Sequence, residues 1–96
     1  MVIQLNTSTS GTFTANDTQQ DVVMLHEASL ALTFTFAFPS NPTNGQVVTM
    51  ISTGGITTLS LTATVGTIVN ALTGMAAGSP ATYVYYSTTN KWYKIR

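Results

Sequence analysis

Alternation of large apolar and small side chains from Ser29 to Pro39 constrains the fold more than any other sequence feature. Every second position is Leu or Phe: Leu30, Leu32, Phe34, Phe36 and Phe38. Successive side chains of a strand point to opposite faces, so this pattern predicts a strand with one apolar face. Pro39 ends the strand because it has no N–H to donate. Since burying each large group contributes about 1.5–3 kcal/mol, another layer of sheet must cover this row.

Shorter strand-like segments recur along the chain between polar turns. The predicted strands are Val2–Leu5, Thr12–Ala15, Val22–Glu27, Gln46–Ser52, Thr57–Val65, Ala81–Tyr86 and Lys91–Arg96. The stretch 22–27 could instead form one helical turn, but its two adjacent valines favour a strand. Residues 67–75 contain a glycine and fit a short strand or an irregular crossing.

The spacing of turns predicts the fold class. Turn signals about every 8–12 residues, without an amphipathic helix, favour an all-β fold. We expect one domain spanning residues 1–96: a small antiparallel sandwich or barrel in which the last two strands form a C-terminal hairpin. No fixed internal period is visible, which argues against a solenoid.

Composition excludes several function classes. The chain has 96 residues, of which 44% are hydrophobic and only 6% charged, with no net charge and no cysteine. Hydrophobicity this high without net charge is not typical of disorder. A neutral surface gives no electrostatic reason to bind nucleic acid or an anionic membrane. The N-terminus has no signal-peptide pattern, and no apolar run approaches the ~20 residues of a membrane span, so we expect a soluble protein.

Few side chains could carry catalysis. Asp17 and Asp21 could form a carboxylate pair, but their turn-like setting favours a solvated loop. His26 and Glu27 are adjacent, which in a strand places them on opposite faces. A single histidine cannot build a His-rich metal site, and His26 is expected to be a hydrogen-bonded structural residue. We therefore predict a non-enzymatic protein without a metal or other cofactor.

Two groups of surface candidates remain. Thr-x-Thr pairs at 7/9, 12/14, 33/35 and 62/64 resemble ice-binding arrays, but their unequal intervals predict that they do not stack on one plane. Aromatic residues are concentrated in the C-terminal hairpin, where they could bind a glycan or a protein or else fill the core. These candidate ligand-binding residues are Tyr83, Tyr85, Tyr86, Trp92 and Tyr93.

Self-association is expected from the same composition. Strand edges on an uncharged surface lack the repulsion that keeps β-proteins apart, and contacts between copies would cover them. Acidic residues lie in the N-terminal third, at Asp17, Asp21 and Glu27, and basic residues near the C-terminus, at Lys91, Lys94 and Arg96. This asymmetry could orient neighbouring copies head to tail, although surface ion pairs are weak.

An ordered series of motifs over residues 44–95 resembles a known family. It comprises Asn44-Gly-Gln-Val-Val-Thr-Met-Ile-Ser52, then Gly54-Gly55, Leu59-Ser-Leu-Thr62, the stretch 72–78, Ala81-Thr-Tyr-Val-Tyr-Tyr86 and Lys91-Trp-Tyr-Lys-Ile95. The series is similar to the small β-domains that end bacteriophage tail fibres, head fibres and related virion appendages. It covers a little over half of the chain and consists of hydrophobic and turn positions.

The resemblance implies a function. Members of that family are commonly homotrimers at the particle exterior, whose exposed ends bind host glycans or proteins. We therefore expect a non-catalytic virion protein: a receptor-binding tip or fibre domain, in contact with other virion proteins. The alternatives are a capsid-decorating or cement protein without a receptor, and a free carbohydrate-binding module. A complete gene product starting at Met1 would favour decoration, and a piece of a longer chain would favour the tip.

Overall fold

The computed structural model describes residues 2–16 and 20–96, and all the regular secondary structure in these ranges is strand. The nine strands are β1 (Val2–Asn6), β2 (Thr12–Thr14), β3 (Asp21–His26), β4 (Ala31–Ala37), β5 (Val47–Ser52), β6 (Ile56–Thr62), β7 (Thr67–Val69), β8 (Ala81–Tyr86) and β9 (Lys91–Lys94). The expected all-β class is confirmed. The segment 22–27 is a strand rather than a helical turn.

The strands form two sheets that wind as a solenoid. Sheet A has the order β1-β3-β5-β8-β9-β7, and sheet B has the order β2-β4-β6. Within β1-β3-β5 and within β2-β4-β6, every neighbouring pair is parallel. Each coil therefore contributes one strand to sheet A and the next strand to sheet B. Three such coils, β1–β2, β3–β4 and β5–β6, stack on one another.

This topology corrects the expected antiparallel sandwich or barrel. Alternation along a strand shows which side chains are buried, but it does not show whether the neighbouring strand runs parallel or antiparallel. The absence of a fixed period in the sequence also has a physical cause. Paired residues are 20 apart between Val2 and Val22, and 26 apart between Val22 and Val48, because loops of different length join equivalent strands. Antiparallel pairing is present in the C-terminal part, where β8 pairs with β5 and forms the expected hairpin with β9.

The phenylalanine strand is only partly as predicted. Phe34, Phe36 and Phe38 are almost completely buried between the sheets, whereas Leu30 and Leu32 are 55% and 70% exposed. The alternation shifts by one position in β4, since residues 32 and 33 are both exposed. The paired strand β6 has the same shift at residues 57 and 58, so the two coils bend together at a corner. The prediction that all five large side chains share one buried face was therefore wrong for the two leucines.

Stacked side chains fill the space between the sheets. On sheet A, Val22 lies beside Val48 and Met24 beside Met50, and all four are fully buried. On sheet B, Phe13 lies beside Phe36 with ring centroids 5.9 Å apart. Identical or similar groups thus occupy equivalent positions in successive coils, which is how a solenoid builds a continuous core.

The C-terminal end of the solenoid is closed by the chain itself. Strands β8, β9 and β7 extend sheet A beyond β5. Between β7 and β8 the chain crosses to sheet B, where Met75 exchanges backbone hydrogen bonds of 2.8 and 2.9 Å with Ile56 at the outer edge of β6. Tyr83 donates a hydrogen bond of 2.8 Å from its hydroxyl to the carbonyl of Asn70 and so fixes the start of this crossing.

Candidate functional surface

The five aromatic residues proposed for ligand binding do not form one surface. Tyr83 and Trp92 are fully buried and Tyr85 is 6% exposed, whereas Tyr86 is 46% exposed and Tyr93 is partly exposed. A ring can stack on an external ligand only through an exposed face, so three of the five are excluded from direct contact in this structure. Ligand binding remains a prediction for Tyr86 and Tyr93.

The three buried rings instead form an aromatic cluster with Phe38. The ring of Trp92 lies 4.8 Å from that of Phe38 and 5.2 Å from that of Tyr85, and Tyr83 lies 5.3 Å from Phe38. These separations are typical of stabilising edge-to-face and tilted pairs. The aromatic cluster thus joins the hairpin β8–β9 across the core to Phe38, the residue that directly follows β4.

Burial raises the pKa of the Tyr83 phenol above its ordinary value of 10.0. A hydrogen bond with the backbone of Leu72 partly opposes this increase. A group whose pKa is raised in the folded state stabilises the fold below its unfolded pKa and loses this contribution as the pH rises further. We therefore expect the free energy of unfolding to fall above about pH 10. Urea titrations at several alkaline pH values should show a smaller decrease in Tyr83→Phe. The control Tyr86→Phe, at an exposed site, should show the same decrease in the free energy of unfolding as the wild type. An equal decrease in the wild type and both variants would show that Tyr83 is not its cause.

His26 is a buried titratable side chain with hydrogen-bond partners on both ring nitrogens. His26 is fully buried: its Nε2 lies 2.6 Å from the carbonyl of Ser8, and its Nδ1 lies 2.7 Å from the hydroxyl of Ser52. A carbonyl oxygen only accepts, so Nε2 donates and Nδ1 accepts from the Ser52 hydroxyl when the ring is neutral. This matches the predicted structural role of His26.

Of the two aspartates proposed as a carboxylate pair, the structure describes only Asp21. Asp21 is the first residue of β3, rather than part of a turn, and is exposed. Asp17 lies outside the described residues, so the proposed pairing of the two carboxylates cannot be located in the structure. Within ranges 2–16 and 20–96, no group of three His, Cys, Asp or Glu side chains could hold a metal ion.

The outward face of sheet A is apolar over most of its area. It alternates with the buried positions and consists of Ile3, Leu5, Val23, Leu25, Val47, Ile51, Val84 and Tyr93, together with the hydrogen-bonded pair Thr49 and Thr82. We call this set the apolar face. Five strands about 4.8 Å apart and five residues long give it roughly 400 Å² in projection. That is near the size of the largest apolar patch of an ordinary monomer, which is often functional.

The exposure of individual residues shows that part of this face is open. Ile3 and Leu5, on the edge strand β1, are each 60% exposed. Leu25 and Ile51, the neighbours of Leu5 on the next two strands, are partly exposed. Asp21 lies opposite Val47 and places a carboxylate at the margin of the face.

Sequence reasoning missed this face although the sequence carries its signal. The strands β3 and β5 are apolar at both inward and outward positions, for example Val22 and Val23 in one and Met50 and Ile51 in the other. Apolar residues on both sides of a strand are typical of a central strand that is covered on both faces. Within the described residues, the solenoid covers only the inward side.

A polar side chain closes the first coil. Gln4 occupies the inward position that Met24 and Met50 hold in the next two coils. Its amide oxygen accepts a hydrogen bond of 2.7 Å from the backbone N–H of Asn16, and its amide nitrogen lies 3.5 Å from the carbonyl of Thr14. Gln4 therefore connects the two sheets at the N-terminal end.

Comparisons with known proteins bear on the fold alone. The sequence matches no protein-family model, and it has no significant match among curated proteins. The fold is similar to part of a solved structure described as a chaperone–substrate complex, with a TM-score of 0.51 and 23% sequence identity over 93% of this chain. The chain spans only 14% of the length of that neighbour. In the part of the chain that the structure describes, no helix could cross a membrane.

Proposed function

We propose that this chain is a non-catalytic virion surface module, the receptor-binding tip or fibre domain of a phage appendage, and that it works as a homotrimer. The motif series of residues 44–95 supports the family, as argued from the sequence. The apolar face supports assembly, because it is an exposed apolar surface on a chain with few charges to keep copies apart. The apolar face is the observation that carries the proposal.

The contacts at both ends of the described solenoid are compatible with side-by-side assembly of copies. Addition of a coil at the N-terminal end would meet the polar Gln4, whose amide is already bonded across the coil. At the other end, the segment around Met75 already pairs with the edge of β6. Contact between copies through the apolar face leaves the hydrogen bonds of Gln4 and the pairing of Met75 with β6 intact.

The assembly surface is tested by placing a charge in it. Leu25→Lys puts an ammonium group between Leu5 and Ile51, the neighbours of Leu25 on the adjoining strands. Burying an unpaired charge in an interface is strongly unfavourable, so this variant should remain monomeric at concentrations where the wild type is trimeric. Sedimentation velocity measures the distribution of species directly. Circular dichroism should show an unchanged β spectrum, because the side chain points away from the core.

Leu32→Lys is the matched control. Leu32 is 70% exposed and lies in sheet B, away from the apolar face. The same substitution there should leave the trimer intact. If both variants assemble like the wild type, or if both dissociate, the apolar face is not the assembly surface.

Receptor binding is tested separately from assembly. Tyr86 is the more exposed of the two surface tyrosines. Tyr86→Ala should reduce binding to a glycan array at least about tenfold, the effect of losing about 1.4 kcal/mol of stacking energy. Tyr83→Phe is the matched control, because that ring is buried. Absence of glycan binding by the wild type, with tight association to purified capsids, would favour a decorating protein over a receptor-binding tip. A monomer that binds glycan would favour a free carbohydrate-binding module.

A further inference from the structure

The outward face of sheet B carries hydroxyl groups in rows that cross the paired strands in register. Its members come from all three coils and are Thr12, Thr14, Thr33, Thr35, Thr58, Ser60 and Thr62, with Ala37 at the remaining position. We call this set the hydroxyl grid. One row runs from Thr12 through Thr35 to Ser60, and the members of each row face outward on adjacent, parallel strands.

The register shows that unequal sequence intervals do not prevent alignment of these residues. Unequal sequence intervals predicted that the Thr-x-Thr pairs would not share a plane, but Thr12 and Thr35 are paired although 23 residues separate them, and Thr35 and Ser60 are paired at 25. The loops outside the sheet absorb this difference in length. The members of the pairs 12/14 and 33/35, together with Thr62, are therefore in register with hydroxyl or alanine positions of the neighbouring strands, whereas Thr64 lies beyond the end of β6. The pair at 7/9 lies outside the strands.

The grid has two regular spacings and a firm support. Neighbouring parallel strands are about 4.8 Å apart, and alternate residues of one strand about 6.6 Å apart. Behind the grid, Phe13, Phe34 and Phe36 pack in the core with ring centroids 5.4 and 5.9 Å apart. Close packing of this kind limits movement of the backbone to which the hydroxyls are attached.

The chemistry of the grid restricts what it can bind. Its side chains are all Thr, Ser or Ala, so the grid itself offers no charge for a phosphate or a nucleic acid and no ring for stacking on a sugar. Each hydroxyl can both donate and accept hydrogen bonds. The ligand that fits must be neutral, must repeat in two dimensions and must itself donate and accept at every point.

We propose that the hydroxyl grid binds the surface of ice. A water molecule in ice donates two hydrogen bonds and accepts two, and its lattice repeats in two dimensions. Each Thr also carries a methyl group, which cannot form a hydrogen bond and so limits the number of hydrogen bonds that liquid water can make at the grid. A rigid grid loses little conformational entropy on binding, which favours attachment to a fixed lattice. This activity is independent of the apolar face, which is on the other sheet.

The test measures how much protein enters slowly growing ice. Wild-type protein should be enriched in the ice fraction relative to an inert protein of similar size, and should slow recrystallisation of small ice crystals. Thr35→Tyr places a ring above the central row, between Thr12 and Ser60, and should lower the enrichment at least about tenfold, equivalent to about 1.4 kcal/mol. Tyrosine is well accepted in strands, so the fold should survive, as circular dichroism would verify.

The control is Thr88→Tyr, the same substitution at an exposed position in the β8–β9 turn. It should enter ice like the wild type. Leu25→Lys should also retain ice binding, which separates this proposal from the assembly of copies. Exclusion of the wild type from ice to the same extent as the inert protein would overturn the proposal, as would equal enrichment of Thr35→Tyr and Thr88→Tyr.

Discussion

Replacement of Gly54 by alanine is expected to prevent folding under conditions where the wild type is stable. A Cβ at this position would overlap the carbonyl oxygen of Ala28 and would lie 2.5 Å from the carbonyl carbon of Ser29 and 2.7 Å from the nitrogen of Leu30. All three atoms belong to the backbone of the preceding coil, so no side-chain rotation can relieve the overlap. Separating two stacked coils should cost roughly 4 kcal/mol or more, a large part of the stability of a domain this size.

Gly78→Ala is the matched control for this substitution. Gly78 has a φ of +73°, and a Cβ there would have no neighbour within 4 Å. Its replacement should destabilise the fold by only about 1 kcal/mol, because alanine disfavours the left-handed backbone conformation. Urea denaturation followed by circular dichroism, at one fixed chain concentration, measures both. Similar midpoints for the two variants would show that the coils are not in contact at Gly54.

Truncation of Trp92 is the second substitution with a large expected effect. Trp92 is fully buried and contacts Phe38 and Tyr85, so Trp92→Ala removes the ring that links the hairpin to the core. Removal of a buried Trp typically costs about 3–5 kcal/mol, as lost transfer free energy and a cavity. The variant should unfold at a much lower urea concentration than the wild type.

Trp92→Phe should cost far less, and for a specific reason. Within the described part of the chain, the indole N–H of Trp92 is buried without a hydrogen-bond partner. Phenylalanine keeps most of the aromatic contacts and removes this donor, whose burial costs about 1–3 kcal/mol. We expect a net change within about 1 kcal/mol of the wild type. A loss as large as that of Trp92→Ala would show that the indole N–H makes a stabilising contact.

The sequence allowed the strands to be predicted because side-chain alternation is local. Phe34 and Phe36 alternate with threonines that tolerate solvent, and this pattern is sufficient to define a half-buried strand. The tight polar turn at 87–90 is likewise local, and the hairpin it joins was predicted correctly. The corner at residues 32 and 33 could not be predicted, because the shift in alternation depends on the matching shift in β6.

The direction of strand pairing could not be derived from the same signals. A parallel ladder joins residues that are distant in sequence, such as Phe36 and Leu61, and no local motif marks such a pair. Loops of unequal length also conceal the repeat that a solenoid with constant coils would show. Stacking of Met24 on Met50, and of Val22 on Val48, is the remaining signal, but it becomes visible only when the register is known.

The candidate site was predicted less well than the strands. The concentration of aromatic residues led to the prediction that Trp92 and Tyr83 bind a ligand, but both rings are in the core. Large rings also fill a core well, so aromatic composition alone does not separate the two roles. The apolar face contains mostly aliphatic residues, such as Leu5 and Leu25, which sequence reasoning assigns to a core by default. Only the structure shows that they point outward.

The mass of the protein in solution tests the central claim most directly. Sedimentation equilibrium at micromolar concentration should give three times the 10.2 kDa of one chain. The trimer should dissociate in Leu25→Lys and persist in Leu32→Lys. A wild-type mass of 10.2 kDa at every accessible concentration would contradict the account, because the apolar face would then be open to water.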